Sequence, residues 1–319
     1  MRRPLLLLAF ISMFTLAAPG AAQTWPTKPV RLVLGYAAGG AMDMSARVIG
    51  PILTESIGQP VIIENRTGGA GNIAADAVAK SAPDGYTLLA TSDGPLVINP
   101  SVYKNLSFDT LRDFAPIAIA ASAGLVLMAC PSLPASSVAE VLALARGRKL
   151  TYASSGYGSS QHVAAELLKD SAGIDLTHVP YKGFGHAVVD AVSCTVDLIF
   201  GAISTGLPYV RSGKLKAIAV TQPRRHPGLA DTPTFGEAGH PAVVIEAYMG
   251  LLAPAGTPRA VIERLHAEVA AILEEKETSQ RLTGAGLDVV RSTPEAYARR
   301  IRADLEKYAR LASALAAKE

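Results

Sequence analysis

Short apolar runs alternate along this chain with longer stretches in which apolar residues recur every third or fourth position. The runs at residues 30–35, 61–64, 86–91, 116–120, 125–130, 150–153, 175–179, 197–200, 215–220 and 243–252 predict β-strands. The periodic stretches at 42–57, 72–81, 137–146, 160–172, 184–192, 258–275 and 294–315 predict amphipathic helices. The last is well marked, with Thr293 at the N-cap, Pro294 at the first helical position and Glu295 behind it. Short strands alternating with helices of this length predict an α/β doubly wound architecture.

The alternation runs twice, once before about residue 120 and again over 125–220. A Pro/Gly-rich stretch, 223–241, and a strand-like run then lead into two terminal helices. Crossings between lobes are expected at 121–125 and 242–250, giving lobe 1 as 23–122 plus 248–319 and lobe 2 as 123–247. Two lobes joined by two segments form a hinge, and closure around a ligand is the expected motion.

Ahead of this pattern, Met1, Arg2, Arg3 and Pro4 precede an apolar run and then small residues through Ala22. That is the order of a secretory signal peptide, with cleavage expected after Ala22 and the mature chain in the periplasm. The run is shorter than the roughly 20 residues that cross a bilayer. A formal net charge of +3, with 18% charged residues spread along the chain, supplies no basic stripe for nucleic acid. Cys130 and Cys194 are too few for a disulfide framework or a metal set; they fit either one bridge or two small buried hydrophobes. No metal, no cofactor and a monomeric state are expected.

Candidate chemistry lies in two loops, each following a predicted strand and opening a predicted helix. The first contains Tyr36, Gly39, Gly40, Ala41, Met42 and Asp43, and the second contains Ser154, Ser155, Gly156, Tyr157, Gly158, Ser159 and Ser160. Such loops present backbone N–H groups at a helix N-terminus, where unpaired donors and the helix dipole favour an anion. Neither loop carries Lys, Arg or a metal-ligand set, so the pair predicts one small anion held between lobes. Asp43 fits equally a role in capping its own helix. Tyr181 and the stretch from Gly201 and Ala202 to Ser204 follow strands and are expected as second-lobe wall, although Tyr181 fits a packing role as well.

Two rival chemistries fit parts of these segments. Gly69, Gly71 and Ala74 follow a strand and open a helix, in outline a dinucleotide fingerprint, but residues 65–68 separate the glycines from the strand. That segment, with Asn72, is expected to border the cleft or simply to turn the chain. A nucleophilic serine is disfavoured because the second loop holds no G-x-S-x-G elbow. His162, two residues beyond Ser160 on the same helix, points elsewhere.

Ordered motifs then point to a family. They are Tyr36, Gly39, Gly40, Asp43, Ala46 and Arg47; Gly58 with Pro60 and Val61; Glu64 to Arg66; Ala82 to Tyr86; Ile98 to Pro100; Asp113 to Pro116; His178 to Gly183; Gly213 to Leu215; and Gly250 to Pro258. In this order they resemble the Bug proteins, the periplasmic solute-binding components of tripartite tricarboxylate transporters. The resemblance covers essentially the whole mature chain. It implies a type II periplasmic-binding-protein fold, no enzymatic activity, and a small carboxylate-bearing ligand. It also implies transient partners, either membrane transporter subunits or a sensor. The ligand would be held by first-lobe backbone at residues 39–42 and by Ser155, Ser159 and Ser160 across the cleft.

The chain departs from the family pattern in places. Asp93, next to Ser92, stands where relatives commonly carry a small hydroxyl residue, Tyr157 stands where Asn is common, and His186, Ser193 and Cys194 replace commoner Pro and Gly. A carboxylate at Asp93 disfavours a second ligand carboxylate. The expectation is therefore a ligand with one carboxylate plus a donor, such as an amino acid, a hydroxy acid, or an aromatic acid stacked on Tyr157.

Overall fold

The structure is a computed structural model describing residues 25–316; the expected signal peptide lies outside the described residues. The chain begins with β1 (Val30–Leu34), α1 (Ala41–Ile57), β2 (Val61–Asn65), α2 (Asn72–Ala79) and β3 (Thr87–Ser92). A π-helical turn at Gly94–Ile98 runs into α3 (Asn99–Val102), followed by α4 (Thr110–Asp113) and β4 (Phe114–Ala129). The middle of the chain supplies α5 (Val138–Gly147), β5 (Leu150–Ser154), α6 (Ser160–Ala172), β6 (Leu176–Pro180), α7 (Phe184–Val192), β7 (Leu198–Ala202), α8 (Ile203–Arg211) and β8 (Lys216–Val220). The chain closes with β9 (Glu246–Pro254), α9 (Arg259–Glu274), α10 (Lys276–Gly284), β10 (Asp288–Val289) and α11 (Pro294–Ala316).

The strands form one curled sheet in the order β2-β1-β3-β9-β4-β7-β5-β6, with β8 and β10 also pairing β4. The outer pairs β1–β2, β1–β3, β5–β6 and β5–β7 are parallel, as strand–helix–strand units require. The join is antiparallel. Strand β4 pairs β9 over residues 114–124 and then β7 and β8 over 125–129, so it passes from one half of the sheet into the other. Register shifts along β4 at Pro116/Ala118, Ile119/Ala121 and Leu127/Met128 supply the local twist that curls the sheet.

Strand β4 corrects the sequence pattern, which broke it into two strands. Ala121, Ser122, Ala123 and Gly124 read as a small-residue linker because they lack bulky alternation, yet β9 covers them as a paired, buried stretch. Small side chains are what this crossing requires. A Cβ on Gly124 would come within 2.3 Å of the Gln222 side chain. Thr221 stitches the crossing, its Oγ1 accepting from Leu125 N–H at 2.9 Å and donating to Ile245 C=O at 2.6 Å.

Helix α8 is absent from the predicted elements, since Gly206 and Pro208 interrupt its pattern; packing of Ile203 and Leu207 overrides the local propensity. The stretch 258–275 stops at Glu275, whose extended backbone (φ −61°, ψ 126°) separates α9 from α10. Helix α11 packs on β4 and on the 94–98 turn, returning the C-terminal segment to the first half. Among the described residues, no helix is long and apolar enough to cross a membrane. Cys130 and Cys194 are free thiols, with Ser132 Oγ 3.5 Å from the first sulfur and 3.0 Å from the second.

Candidate functional site

Strand β1 ends against β2 and β3 and delivers the loop at residues 35–40 to the carboxyl edge of the sheet, where an open α/β fold binds ligands. Gly40 is the N-cap of α1 and carries no side-chain cap, so the first N–H groups of α1, at Ala41 and Met42, have no partner within the helix. Asp43 does not face the cleft. Its carboxylate accepts from Gly39 N–H at 3.1 Å, Asn65 Nδ2 at 3.2 Å and Arg47 Nε at 2.8 Å, which fixes the loop. Burial alone would raise its pKa, but the bonds from Arg47, Gly39 and Asn65 hold it below the usual carboxylate range. Tyr36 is the second strut, donating from Oη to Ala70 C=O at 2.9 Å and lying 2.9 Å from Ser92 Oγ.

Across the cleft, β5 delivers the Gly/Ser loop to α6. Ser159 is spent as the N-cap, its Oγ accepting from His162 N–H at 3.2 Å. Ser160 opens the helix and donates to Asp93 Oδ1 at 2.7 Å. Behind the loop, Ser154 Oγ lies 2.7 Å from His178 Nε2, and His178 stacks between Tyr152 and His162. His162 Nδ1 accepts from Gly158 N–H at 3.3 Å, which places the ring proton on Nε2. Burial lowers the pKa of both His162 and His178 to about 4, so each ring is neutral at pH 7 and serves the loop's shape.

One cleft gathers Tyr36, Gly40, Ala41, Met42 and Ser92 from the first half of the sheet, with Ser155, Ser160 and Ala202 from the second. Five further lining residues escaped the sequence reading: Gln161, Phe184, Thr205, Ala247 and Met249. Phe184 is seated by Gly201, where a Cβ would come within 2.3 Å of its ring. Gly201 therefore shapes the wall from behind rather than lining it. Thr205 was missed with α8, and Ala247 and Met249 because alternation along β9 does not show which face meets the cleft.

The remaining expected residues stand outside the cleft for identifiable reasons. Tyr157 points outward, 52% exposed, tilted against His162 and edge-on to Tyr103, and it is not among the lining residues of the cleft. Asn72 accepts from Asn99 Nδ2 at 2.6 Å, and Tyr181 donates from Oη to Asp190 at 2.5 Å. Gly156 holds φ +116°, and a Cβ there would come within 3.3 Å of Tyr181 C=O. Asp93 is 1% exposed and reaches the cleft only through Ser160.

Among the described residues, hydrogen bonds that join the loops of the two halves include Ser160 to Asp93, Tyr103 Oη to Tyr157 C=O at 2.9 Å, and Ala37 N–H to Lys182 C=O at 3.3 Å. The cleft is narrow and mainly apolar. No Lys or Arg side chain is among its lining residues, and among the described residues no cluster of His, Cys, Asp or Glu could hold a metal ion.

A curled α/β sheet in two halves, with a cleft between opposed helix N-termini, defines the class of the periplasmic binding proteins. Residues 45–316 match the model of the tripartite tricarboxylate transporter family receptor, and the chain belongs to that family. It is 33% identical over 289 residues to the protein BugT of Bordetella pertussis, covering 90% of this chain and 89% of BugT. MatC of Rhodopseudomonas palustris, solved with bound malate, superposes with a TM-score of 0.87 at 31% identity, over 90% of this chain and 100% of MatC. A second R. palustris protein, solved with adipate, gives 0.87 at 35% identity over 91% and 98% of the two chains.

Proposed function

We propose that this chain is an exported receptor that captures a small carboxylate in the cleft and hands it to the membrane subunits of a tripartite-type transporter. The carrying observation is the N-terminus of α1, which has no side-chain cap and whose first residues, Ala41 and Met42, line the cleft with no cationic side chain among the lining residues to compete for the anion. Family membership and the malate- and adipate-bound relatives support the same reading. Residues 1–22 act as the leader and the mature chain works as a monomer in the periplasm. The lobes are 23–122 plus 248–319 and 123–247, closing about β4 and the segment leading into β9. The interlobe bonds describe the closed state, and ligand entry requires them to part.

A thermal-shift screen against carboxylic acids tests the reading. A ligand at about 100 times its dissociation constant adds roughly 2.7 kcal/mol to the native state. At least one small acid is expected to raise the melting temperature by several degrees. A screen of aliphatic, hydroxy, amino and aromatic acids with no shift contradicts it.

A further inference from the structure

Two helix N-termini meet the cleft, and they are not equivalent. That of α1 has no side-chain cap, while at α6 the Ser159 hydroxyl caps the His162 N–H and the hydroxyl of Ser160 donates to the Asp93 carboxylate at 2.7 Å. Asp93 sits 1% exposed at the end of β3, and its second oxygen, Oδ2, is buried without a hydrogen-bond partner. A built-in acidic group thus occupies the anion-favouring end of α6, behind a serine that itself forms part of the cleft wall. The surface between the two ends is apolar, formed by Met42, Phe184, Ala202, Ala247 and Met249. No lining cation offsets a second negative charge there.

We propose that Asp93 stands in for the second carboxylate of a ligand at the α6 end of the cleft, so that this receptor selects monocarboxylates with an apolar body over dicarboxylates. The inference rests on the carboxylate-receptor reading and specifies its ligand class. An acid enters with its carboxylate on the N–H groups of α1 and its hydrocarbon along Phe184 and Met249. A dicarboxylate of the same length places its far charge against Ser160 and the Asp93 carboxylate, where like charges repel and water is excluded. Discrimination here comes from the repulsive element as much as from the attractive one. The same Asp93–Ser160 bond joins the two lobes, so the residue that rejects the second charge also clasps the closed form.

Isothermal titration calorimetry on the mature chain tests this with matched pairs of straight-chain acids of four to eight carbons, such as hexanoate and adipate, for wild type, Asp93→Ser and Asp93→Asn. The wild type is expected to bind the monocarboxylate of the best pair at least about tenfold more tightly than the dicarboxylate, since a like charge in a partly desolvated site costs more than 1.4 kcal/mol. Both variants are expected to shrink that ratio at least about tenfold. Asp93→Asn is nearly isosteric and keeps an acceptor for Ser160, so it covers the case in which Asp93→Ser fails to fold. Equal binding of the two members by the wild type, or a ratio unmoved in the folded variants, overturns the inference while leaving the receptor reading intact. Binding of no straight-chain acid of either kind overturns the inference, and the receptor reading falls with it only if the hydroxy, amino and aromatic acids of the thermal-shift screen also fail to bind.

Discussion

At the scale of single residues, the structure separates groups that meet the cleft from groups that hold others in place. The sequence marked both loops because their glycines and hydroxyls stand out. It could not show that Ser159 is consumed as a cap while its neighbour Ser160 reaches the cleft, since one residue of helical rotation decides it. Ser159→Ala is accordingly expected to cost about 1 kcal/mol of stability while leaving ligand affinity within about twofold, read by chemical denaturation beside calorimetry. Gly201 offers a sharper test. The missing Cβ is what seats Phe184, and Gly201→Ala is expected to destabilise the second lobe by about 1–3 kcal/mol through overpacking. An unchanged denaturation midpoint would show that the ring moves aside freely.

At the scale of elements, strands and helices with clear periodicity, such as α6 and α7, are legible from sequence to the residue. The elements that escaped did so where packing overrides local preference. Strand β4 runs through four small residues, and α8 forms around Gly206 and Pro208, because neighbouring apolar side chains need those paths. The loop at residues 65–72, with its dinucleotide-like glycines, instead braces the first loop: Asn65 bonds to Asp43 and to Tyr36 C=O, and Ala70 accepts from Tyr36. The crossing held by Thr221 carries a prediction of its own. Thr221→Val leaves Leu125 N–H and Ile245 C=O buried and short of a partner, an expected loss of about 1–3 kcal/mol. Equal stability of wild type and variant in a denaturant titration would remove Thr221 from that role.

At the scale of the whole molecule, buried titratable groups tie stability to pH. His162 and His178 face Tyr152, Tyr157, Ser154, Glu166 and Lys169, and burial lowers both folded pKa values from 6.5 to about 4. The unfolded chain therefore binds more protons than the native one in that range. Their contribution is complete above the unfolded value and is lost as pH falls from about 6.5 through about 4. Asp93 works in the opposite sense: burial raises its carboxyl from 3.8 to about 6, and its contribution fades as pH rises through that value. Asp304 adds to that rise, while Ser160 and Arg300 oppose it. Two histidines outweigh one carboxylate, so denaturant stability is expected to fall between pH 7 and pH 4.5. The fall should be shallower in His162→Gln; an identical slope in the variant would assign the acid sensitivity elsewhere.

The two parallel portions of the sheet were readable from the doubled strand–helix pattern, because each repeats the periodicity that parallel strands demand. Which side chains face one another across the cleft was not, because that depends on how the halves meet at β4 and β9. Capture of a ligand, on the proposed function, rests on the open N-terminus of α1 holding a carboxylate. Calorimetric comparison of the tightest-binding acid with its primary amide, equal in shape but uncharged, tests it most directly. The acid is expected to bind and the amide to bind at least about a hundredfold more weakly, in line with roughly 3 kcal/mol for charge-assisted hydrogen bonds in a partly desolvated site. Equal affinity of acid and amide would contradict it.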